Sequence, residues 1–237
     1  MKSRPALLCE PRDNQLLAAL PEDDLARWAA ALEPVELHLG QVLCESGSTA
    51  PYVYFPTTAI VSLLYLTLDG ASSEIAVVGR DGLVGVALFM GGNATPSRSV
   101  VQSAGLGLRM PAQRVQQEIS RPGAIQSMLL RYTQSLMAQM AQTAVCNRYH
   151  SIDQLLCRRL LMGLDRQSSQ ALMMTQELLA NLLGVRREGV TAAALKLSQA
   201  GLISYRRGRI AVLDRGRLEQ RLDSPAKAMA QGEALRA

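Results

Sequence analysis

Residues 175–197 read TQELLANLLGVRREGVTAAALKL, and this stretch decides the fold of the C-terminal part of the chain. The pattern predicts a helix over about 176–182, a turn at Gly184 and a second helix from near Arg186. Glycine can adopt the left-handed conformation that ends a helix without a Cβ clash. This arrangement is typical of a DNA-binding helix-turn-helix, whose second helix enters the major groove. The alternative is an ordinary helical hairpin in a core. The positions where two steeply crossed helices would touch are small or apolar: Leu179, Ala180, Leu183, Val185, Val190 and Ala193.

The flanking segments extend this unit. Ser151 can cap a helix over 152–164, and two short strands, 202–205 and 209–213, surround the turn Arg206-Arg207-Gly208. Two strands joined by a tight turn predict a hairpin. A hairpin that directly follows a helix-turn-helix is a wing, so the pattern favours a winged helix-turn-helix.

The charge of the chain is divided unevenly. The formal net charge is +5, but residues 1–150 contain 11 Lys and Arg against 12 Asp and Glu, whereas residues 151–237 contain 14 against 8. All of the excess positive charge therefore lies in the C-terminal part. Such asymmetry favours contact between that end and a polyanion.

The first half of the chain changes from a helical period to a period of two. Residues 14–32 carry apolar residues at helical spacing, and Pro21 begins a second helix with an acidic first turn. Short strands at regular spacing, separated by glycine, proline and aspartate turns, favour an antiparallel sandwich or roll. The predicted strands lie at about 35–39, 42–44, 52–55, 60–68, 73–78, 100–104 and 106–110.

A long helix is predicted over about 124–149, because no proline or glycine interrupts it. Residues at alternating intervals of four and three form a heptad seam. The helix can therefore pack against the sheet on one side and a twin helix on the other, which favours a homodimer; burial within the monomer is the alternative. The seam comprises Ile125, Leu129, Tyr132, Leu136, Gln139, Thr143 and Cys146, and a second apolar stripe comprises Met128, Met137 and Met140.

The cysteines and histidines match no ligand spacing. The chain contains Cys9, Cys44, Cys146, Cys157, His38 and His150. Zinc and iron–sulfur sites use short cysteine pairs, which are missing here, and the two histidines are far apart in sequence. We expect no metal and no cofactor. Reduced thiols are the expected state of the cysteines, with a redox-sensing thiol as the alternative.

Nothing in the sequence predicts insertion into a membrane. The longest apolar run, 60–68, has the length of a strand, whereas a spanning helix needs about 18 apolar residues. Residues 1–9 are basic but lack an apolar region, so no signal peptide is expected. We therefore expect a soluble cytoplasmic protein.

In this order the segments resemble the Crp–Fnr superfamily of bacterial transcription regulators, named after the cyclic-AMP receptor and the fumarate–nitrate-reduction regulator. The resemblance covers about residues 16–219. It implies an α+β fold: an N-terminal double-stranded β-helix (jelly-roll) effector domain over 14–122, a dimerisation helix over 123–150 and a winged helix-turn-helix over 151–222. The motifs that carry it are VELHLGQVLCESGS at 35–48, YVYFPTTAIVSLLYL at 52–66, RDGLVG at 80–85 and, as the most specific, LGVRREGVTAAALKLSQAGLISYRRGRIAVLD at 183–214.

The effector site is where the sequence departs from that family. Relatives that bind cyclic nucleotides hold the phosphate and ribose with a Gly-Glu-Leu…Arg-Ser-Ala cassette, and residues 85–87 and 98–100 correspond to it. Val86 replaces the carboxylate that would accept a bond from the ribose hydroxyl, and a buried ligand group left unpaired loses affinity. Arg98 can still meet a phosphate bidentately, or it is a solvated loop residue. We expect an unidentified signal rather than cyclic AMP. The predicted effector-binding residues are Gly85, Arg98 and Ser99.

The predicted DNA contacts follow from chemistry and from the resemblance. Arg187 and Glu188 match the base-reading pair of the family, in which Arg bonds guanine O6 and N7 and Glu accepts from cytosine N4. Ala192 replaces an arginine of some relatives, so a different target is expected. Phosphates are the simplest partners of the wing arginines, although each can be a solvated charge. The further predicted DNA-binding residues are Thr175, Gln176, Arg186, Thr191, Arg206, Arg207 and Arg209.

The predicted function is a dimeric, sequence-specific transcription regulator with double-stranded DNA and, as a further possible partner, RNA polymerase. Two rivals remain. A metal-dependent cupin-like enzyme would need clustered histidines and carboxylates, and a sensing or protein-interaction module without DNA binding would not need the basic C-terminal segment. No catalytic residues are predicted.

Overall fold

The computed structural model describes residues 9–67, 72–92, 94–166, 171–206 and 208–222. The helices are α1 (Gln15–Ala18), α2 (Glu22–Ala29), α3 (Ala112–Ile119), α4 (Ala124–Tyr149), α5 (Ile152–Asp165), α6 (Gln176–Leu183), α7 (Arg187–Gln199) and α8 (Arg215–Gln220). The strands are β1 (Glu33–Leu37), β2 (Val42–Cys44), β3 (Tyr52–Pro56), β4 (Ile60–Leu66), β5 (Ser72–Val78), β6 (Arg98–Ser103), β7 (Gly105–Pro111), β8 (Ala171–Met173), β9 (Ile203–Arg206) and β10 (Arg209–Val212).

The strands of the first half form two sheets, with the strand orders β1-β7-β3 and β2-β6-β4-β5. β7 runs antiparallel to both of its neighbours, and Phe55 of β3 lies opposite Leu108 of β7. The large side chains that these strands bury completely include Leu37, Phe55 and Met110. All seven strands predicted from the period of two are present, and the α+β class is confirmed.

The chain folds into two compact units. The first contains residues 1–62 and 78–133, and the second contains residues 63–77 and 134–237. The second unit, which we call the reader unit, therefore includes most of β4 and β5 together with the C-terminal half of the chain. The three-part division at 14–122, 123–150 and 151–222 stays a prediction.

The long helix α4 has the predicted bounds, Ala124–Tyr149, but the methionines of its second apolar stripe differ in exposure. Six of the seven seam residues are buried within the chain, and the seventh, Gln139, accepts a bond from the Val77 amide at 2.7 Å. Met128 is 4% exposed whereas Met137 is 62% exposed. Met128 lies one turn before Tyr132 and so shares its buried face. The seam therefore packs within the chain, as one of the two predicted sides of this helix would, and the twin helix on its other side stays a prediction.

The C-terminal helices and strands share one core. α5, α6 and α7 pack around Leu156, Leu160, Leu179 and Leu197, and the wing contributes Ile210. β8, β10 and β9 form a three-stranded antiparallel sheet, of which the sequence predicted only the last two strands. The expected polar loop over 166–170 and the tail after 222 lie largely outside the described residues.

Candidate nucleic-acid interface

The helix-turn-helix has the geometry that its sequence predicts. Thr175 is the N-cap of α6, and its hydroxyl accepts a hydrogen bond from the Leu178 amide at 3.1 Å. Gly184 ends α6 with φ +64°, in the left-handed region. Leu179, Ala180, Val190 and Ala193 are buried between the helices, while Leu183 and Val185 pack at the edge of the core. This contact fixes the position of α7 against α6.

The exposed start of α7 carries the predicted base-reading residues. Arg186 is the N-cap, with extended backbone and no side-chain capping bond, and Arg187 and Glu188 form the first turn. All three are exposed. A helix N-terminus carries partial positive charge and unpaired N–H groups, which favour an approaching anion. The arrangement can therefore present two guanidinium groups and one carboxylate to a nucleic acid.

A side-chain bond links the two helices of the motif. The hydroxyl of Thr191 donates to Oε1 of Gln176 at 2.9 Å and lies 3.0 Å from the carbonyl oxygen of Arg187. Because its oxygen is engaged, the Gln176 amide keeps its N–H groups as donors at the first residue of α6. Two residues predicted separately as DNA contacts are thus brought together on one surface.

The wing places two arginines opposite each other. Arg206 of β9 and Arg209 of β10 are directly paired in the antiparallel register, and both are exposed. Like charges directly opposite in a sheet are destabilising, so this pair needs a solvent shell or an anion between its members. Gly208 makes the turn with φ +76°. Arg207, the third predicted wing contact, lies outside the described residues.

A charged cluster around Asp153 ties α7 to α5. Oδ2 of Asp153 forms ion pairs with Nζ of Lys196 at 3.0 Å and with Nη1 of Arg221 at 3.5 Å. The Ser151 hydroxyl donates a hydrogen bond to the other oxygen, Oδ1, at 2.8 Å. Burial raises the pKa of Asp153, but the hydrogen bond from Ser151 and the contact with Lys196 outweigh it, so the pKa lies below its usual value. The cluster holds the C-terminal half of α7 in place.

A buried ion pair joins α5 to the β5 strand inside the reader unit. Nε of Arg159 lies 3.1 Å from Oε1 of Glu74, and the two side chains are only 3% and 8% exposed. Burial lowers the pKa of Arg159, and the charge of Glu74 opposes that shift. Near the start of β5, a Cβ atom built on Gly184 would lie 3.6 Å from the Ser73 hydroxyl. The start of β5 therefore packs against both α5 and the turn of the helix-turn-helix.

The predicted effector residues lie in the first unit and are already engaged there. Gly85 takes φ +117° before a 3-10 turn over Val86–Leu88. Arg98 forms an ion pair with Glu45 at 3.0 Å, with about a third of its side chain exposed. Ser99 is buried and pairs with Cys44 across β6 and β2. The carboxylate of Glu45 therefore already binds the guanidinium of Arg98, which a phosphate ligand would need as its partner.

Two residues on α7 and the wing, Leu195 and Tyr205, were not predicted from the sequence as part of the candidate nucleic-acid interface. Leu195 is 57% exposed on α7, one turn after Thr191, and its position on the same helical face is visible from the spacing alone. The Tyr205 hydroxyl donates to the Met174 carbonyl oxygen at 3.2 Å. Nothing in the sequence signals that bond, because it connects β9 to the residue after β8, 31 positions earlier.

The part of the chain that the structure describes offers neither a metal-ligand cluster nor a spanning helix. No group of three or more His, Cys, Asp and Glu side chains there is placed to hold a metal ion. No described helix is long and apolar enough to cross a bilayer. The four cysteines are buried free thiols, and burial raises the pKa of Cys157 to about 11.

Comparison with known families matches both parts of the chain. Residues 34–121 match the cyclic nucleotide-binding domain, and residues 154–221 match the Crp-like helix-turn-helix domain. No curated protein sequence matches the chain.

Solved structures show the same fold over most of the chain. FixK2 from Bradyrhizobium japonicum is similar with a TM-score of 0.70 at 16% identity, over 81% of this chain and 98% of that one. The c-di-GMP responsive global regulator CLP of Xanthomonas campestris aligns with a TM-score of 0.64 at 17% identity, over 82% and 100%. The CRP/FNR family regulator TTHA1359 from Thermus thermophilus has a TM-score of 0.64 at 20% identity, over 81% and 99%. With the jelly-roll and the helix-turn-helix matched in this order, the chain belongs to the Crp–Fnr superfamily of transcription regulators.

Proposed function

We propose that this regulator acts as a homodimer that reads a near-palindromic DNA site with α7, under the control of a signal other than cyclic AMP. The observation that carries the proposal is the exposed surface formed by the start of α7 and the tip of the wing. Its described residues include the exposed Arg186, Arg187, Arg206 and Arg209 beside the carboxylate of Glu188. Such a surface fits the phosphates and base edges of a duplex.

Arg187 and Glu188 are the residues that we assign to base edges. They lie in the first turn of α7, and the N-terminal residues of a recognition helix reach the groove floor. Arg186, Thr191 and Gln176 flank them. Leu195, exposed on the same helix, suits a thymine methyl group, which is an apolar feature of the major groove. The contacts at α7 thus carry the sequence preference.

Arg206, Arg209 and the N-terminus of α6 at Thr175 are assigned to phosphates. Arg206 and Arg209 lie directly opposite each other and repel, and an anion bound between them would relieve this repulsion. Phosphate contacts give affinity without sequence information and release counterions. Arg207 is assigned the same role from the sequence alone.

The dimer interface is assigned to the exposed face of α4, opposite the seam that is buried within the chain. In the half of α4 that belongs to the reader unit, Met137 and Val145 are 62% and 45% exposed. Ala141 and Ala144, exposed between them, let a second helix approach closely. Two copies related by a two-fold axis would read half-sites about one helical turn apart.

The signal is proposed to be something other than cyclic AMP because Val86 lacks the carboxylate and Arg98 is paired with Glu45. The match to the cyclic nucleotide-binding domain describes the fold of residues 34–121 and does not supply those groups. The proposed role is regulation rather than catalysis, in the cytoplasm, with RNA polymerase as the further partner that a transcription regulator implies.

Selection of binding sites from a random duplex pool tests the proposal. We expect a near-palindrome with half-site centres about 10 base pairs apart. Replacing Arg187 by alanine should cost about 1–3 kcal/mol and relax the preference at one position per half-site, whereas Arg114→Ala, an exposed arginine on α3, is the matched control and should change nothing. Equal loss on selected and random DNA in the Arg187 variant would contradict the base-reading role.

Sedimentation of Met137→Asp tests the dimer separately. A charge placed on a packed helix face should yield a monomer with much weaker binding to the palindrome. A variant that stays dimeric would move the interface away from this face of α4.

A further inference from the structure

Tyr205 lies where the wing meets the helix-turn-helix. It belongs to β9, directly opposite Ile210 of β10, and its ring packs at the edge of the core of the reader unit. Ile210 in turn lies opposite Leu172 of β8. The next residue along β9 is Arg206, so Tyr205 is the last partly buried residue before the exposed arginines of the wing.

Met174 forms two hydrogen bonds that tie it to the wing, one as donor and one as acceptor. Its amide donates to the carbonyl oxygen of Gly208 at 2.7 Å, and its own carbonyl oxygen accepts the Tyr205 hydroxyl at 3.2 Å. Met174 is 3% exposed and directly precedes Thr175, the N-cap of α6. Two bonds therefore tie the wing to the residue that precedes the N-cap of α6, one from the main chain of Met174 to Gly208 and one from the side chain of Tyr205 to Met174.

The surroundings of the Tyr205 hydroxyl link it to the proposed DNA contacts. Burial raises its pKa, while the main-chain amide of Gln176 and the charge of Arg187 act in the opposite direction. The phenol therefore keeps its proton at neutral pH and stays a donor to Met174. The charge of Arg187 also acts on this hydroxyl. The Tyr205 hydroxyl therefore lies close to the first residues of both α6 and α7.

We propose that Tyr205 is a positioning residue for DNA binding, which fixes the wing arginines relative to the N-terminus of α6 so that both contact the same phosphate backbone. This inference rests on the proposed function. A wing that has lost the Tyr205–Met174 bond retains its charges but samples more orientations. Each phosphate contact then requires ordering at the moment of binding, which costs affinity without removing an ion contact.

The test compares Tyr205→Phe with Tyr132→Phe in the full-length protein. Both substitutions remove one hydroxyl that donates to a main-chain carbonyl oxygen: Met174 for Tyr205, and Leu83 at 2.8 Å for Tyr132, in the first unit. We expect Tyr205→Phe to bind both a selected site and random duplex roughly 3- to 10-fold more weakly, as the loss of one hydrogen bond implies. The slope of log K against log salt should be unchanged, because no cation is lost. Tyr132→Phe should affect melting but not affinity.

A double-mutant cycle separates positioning from general destabilisation. In a protein that already carries Arg206→Ala and Arg209→Ala, adding Tyr205→Phe should cost less than about twofold, because residues that act through one contact are not additive. An undiminished loss in that background would overturn the inference, as would wild-type affinity in Tyr205→Phe alone. If the wild type itself binds no duplex at low salt, the proposed function fails instead, and the two failures are distinct.

Discussion

Replacing Glu74 by leucine should be one of the most destabilising single changes in the reader unit. Its carboxylate lies 3.1 Å from the guanidinium of Arg159, and neither side chain is more than 8% exposed. The substitution keeps an apolar side chain of similar size in β5 but leaves a cation that cannot lose its proton in a site with little water. The destabilisation comes from the buried arginine that remains, not from the glutamate that is removed.

The magnitude follows from the distance. At an effective dielectric constant of about 20, unit charges 3.1 Å apart interact by about 5 kcal/mol. Breaking a buried pair by removing one partner costs about 3–5 kcal/mol, whereas replacing both partners with apolar residues is often neutral. We therefore expect Glu74→Leu to lose about 3–5 kcal/mol of unfolding free energy, and Glu74→Leu with Arg159→Met to regain most of it.

Urea unfolding at neutral pH measures both values. The matched control is Glu219→Leu, which breaks the pair between Glu219 and Arg215 on α8, whose side chains are 45% and 51% exposed. Such an exposed pair contributes about 0–1 kcal/mol. A loss below about 1 kcal/mol in Glu74→Leu, or a double variant no more stable than the single one, would refute the argument that an uncompensated charge dominates.

Three further predictions concern titration and ligands. The lowered pKa of Asp153 stabilises the folded state above the ordinary value of 3.8, and this contribution is lost as the pH falls through the lower folded pKa. The difference in urea midpoint between wild type and Asp153→Asn should therefore shrink below about pH 4; a difference independent of pH would contradict it. Cys157, with its pKa raised to about 11, should resist iodoacetamide at about pH 8 in the native protein, as mass spectrometry can establish; rapid labelling without unfolding would disprove its burial. Cyclic AMP should not raise the melting temperature, because Arg98 is engaged by Glu45; a saturable rise would show that the ligand displaces the carboxylate.

Some helices, strands and turns could be predicted because their own residues determine where they begin and end. The turn between α6 and α7 was predictable because Gly184, which adopts φ +64°, stands at the end of the apolar pattern of α6 and has no Cβ to clash in that conformation. The bounds of α4 were predictable because Pro122 and Gly123 precede it and nothing interrupts it. The strands of the first half followed from their period of two and their turn residues.

Other features depend on contacts between distant residues and left little trace in the sequence. β8 is only three residues long and exists because β10 offers it an edge. α3 is rich in glutamine and buries only Val115, so its apolar pattern was too weak to predict a helix. The pairs Glu74–Arg159 and Tyr205–Met174 depend on the fold itself. The sequence of a heptad seam does not specify whether its partner is a sheet of the same chain or a second helix, so the burial of Met128 and the exposure of Met137 could not be distinguished from the pattern alone.

The reader unit is discontinuous along the chain, since residues 63–77 belong to it together with residues 134–237. A DNA-binding fragment therefore cannot be obtained by one cut. A fragment that begins at Ser151 would retain Arg159 but leave out Glu74. The guanidinium of Arg159, which is buried in the intact chain, would then be exposed to solvent together with the apolar surface around it. Such a fragment should be prone to aggregation or partial unfolding, whereas a fusion in which a linker joins residues 63–77 directly to residues 134–237 retains both members of the buried ion pair.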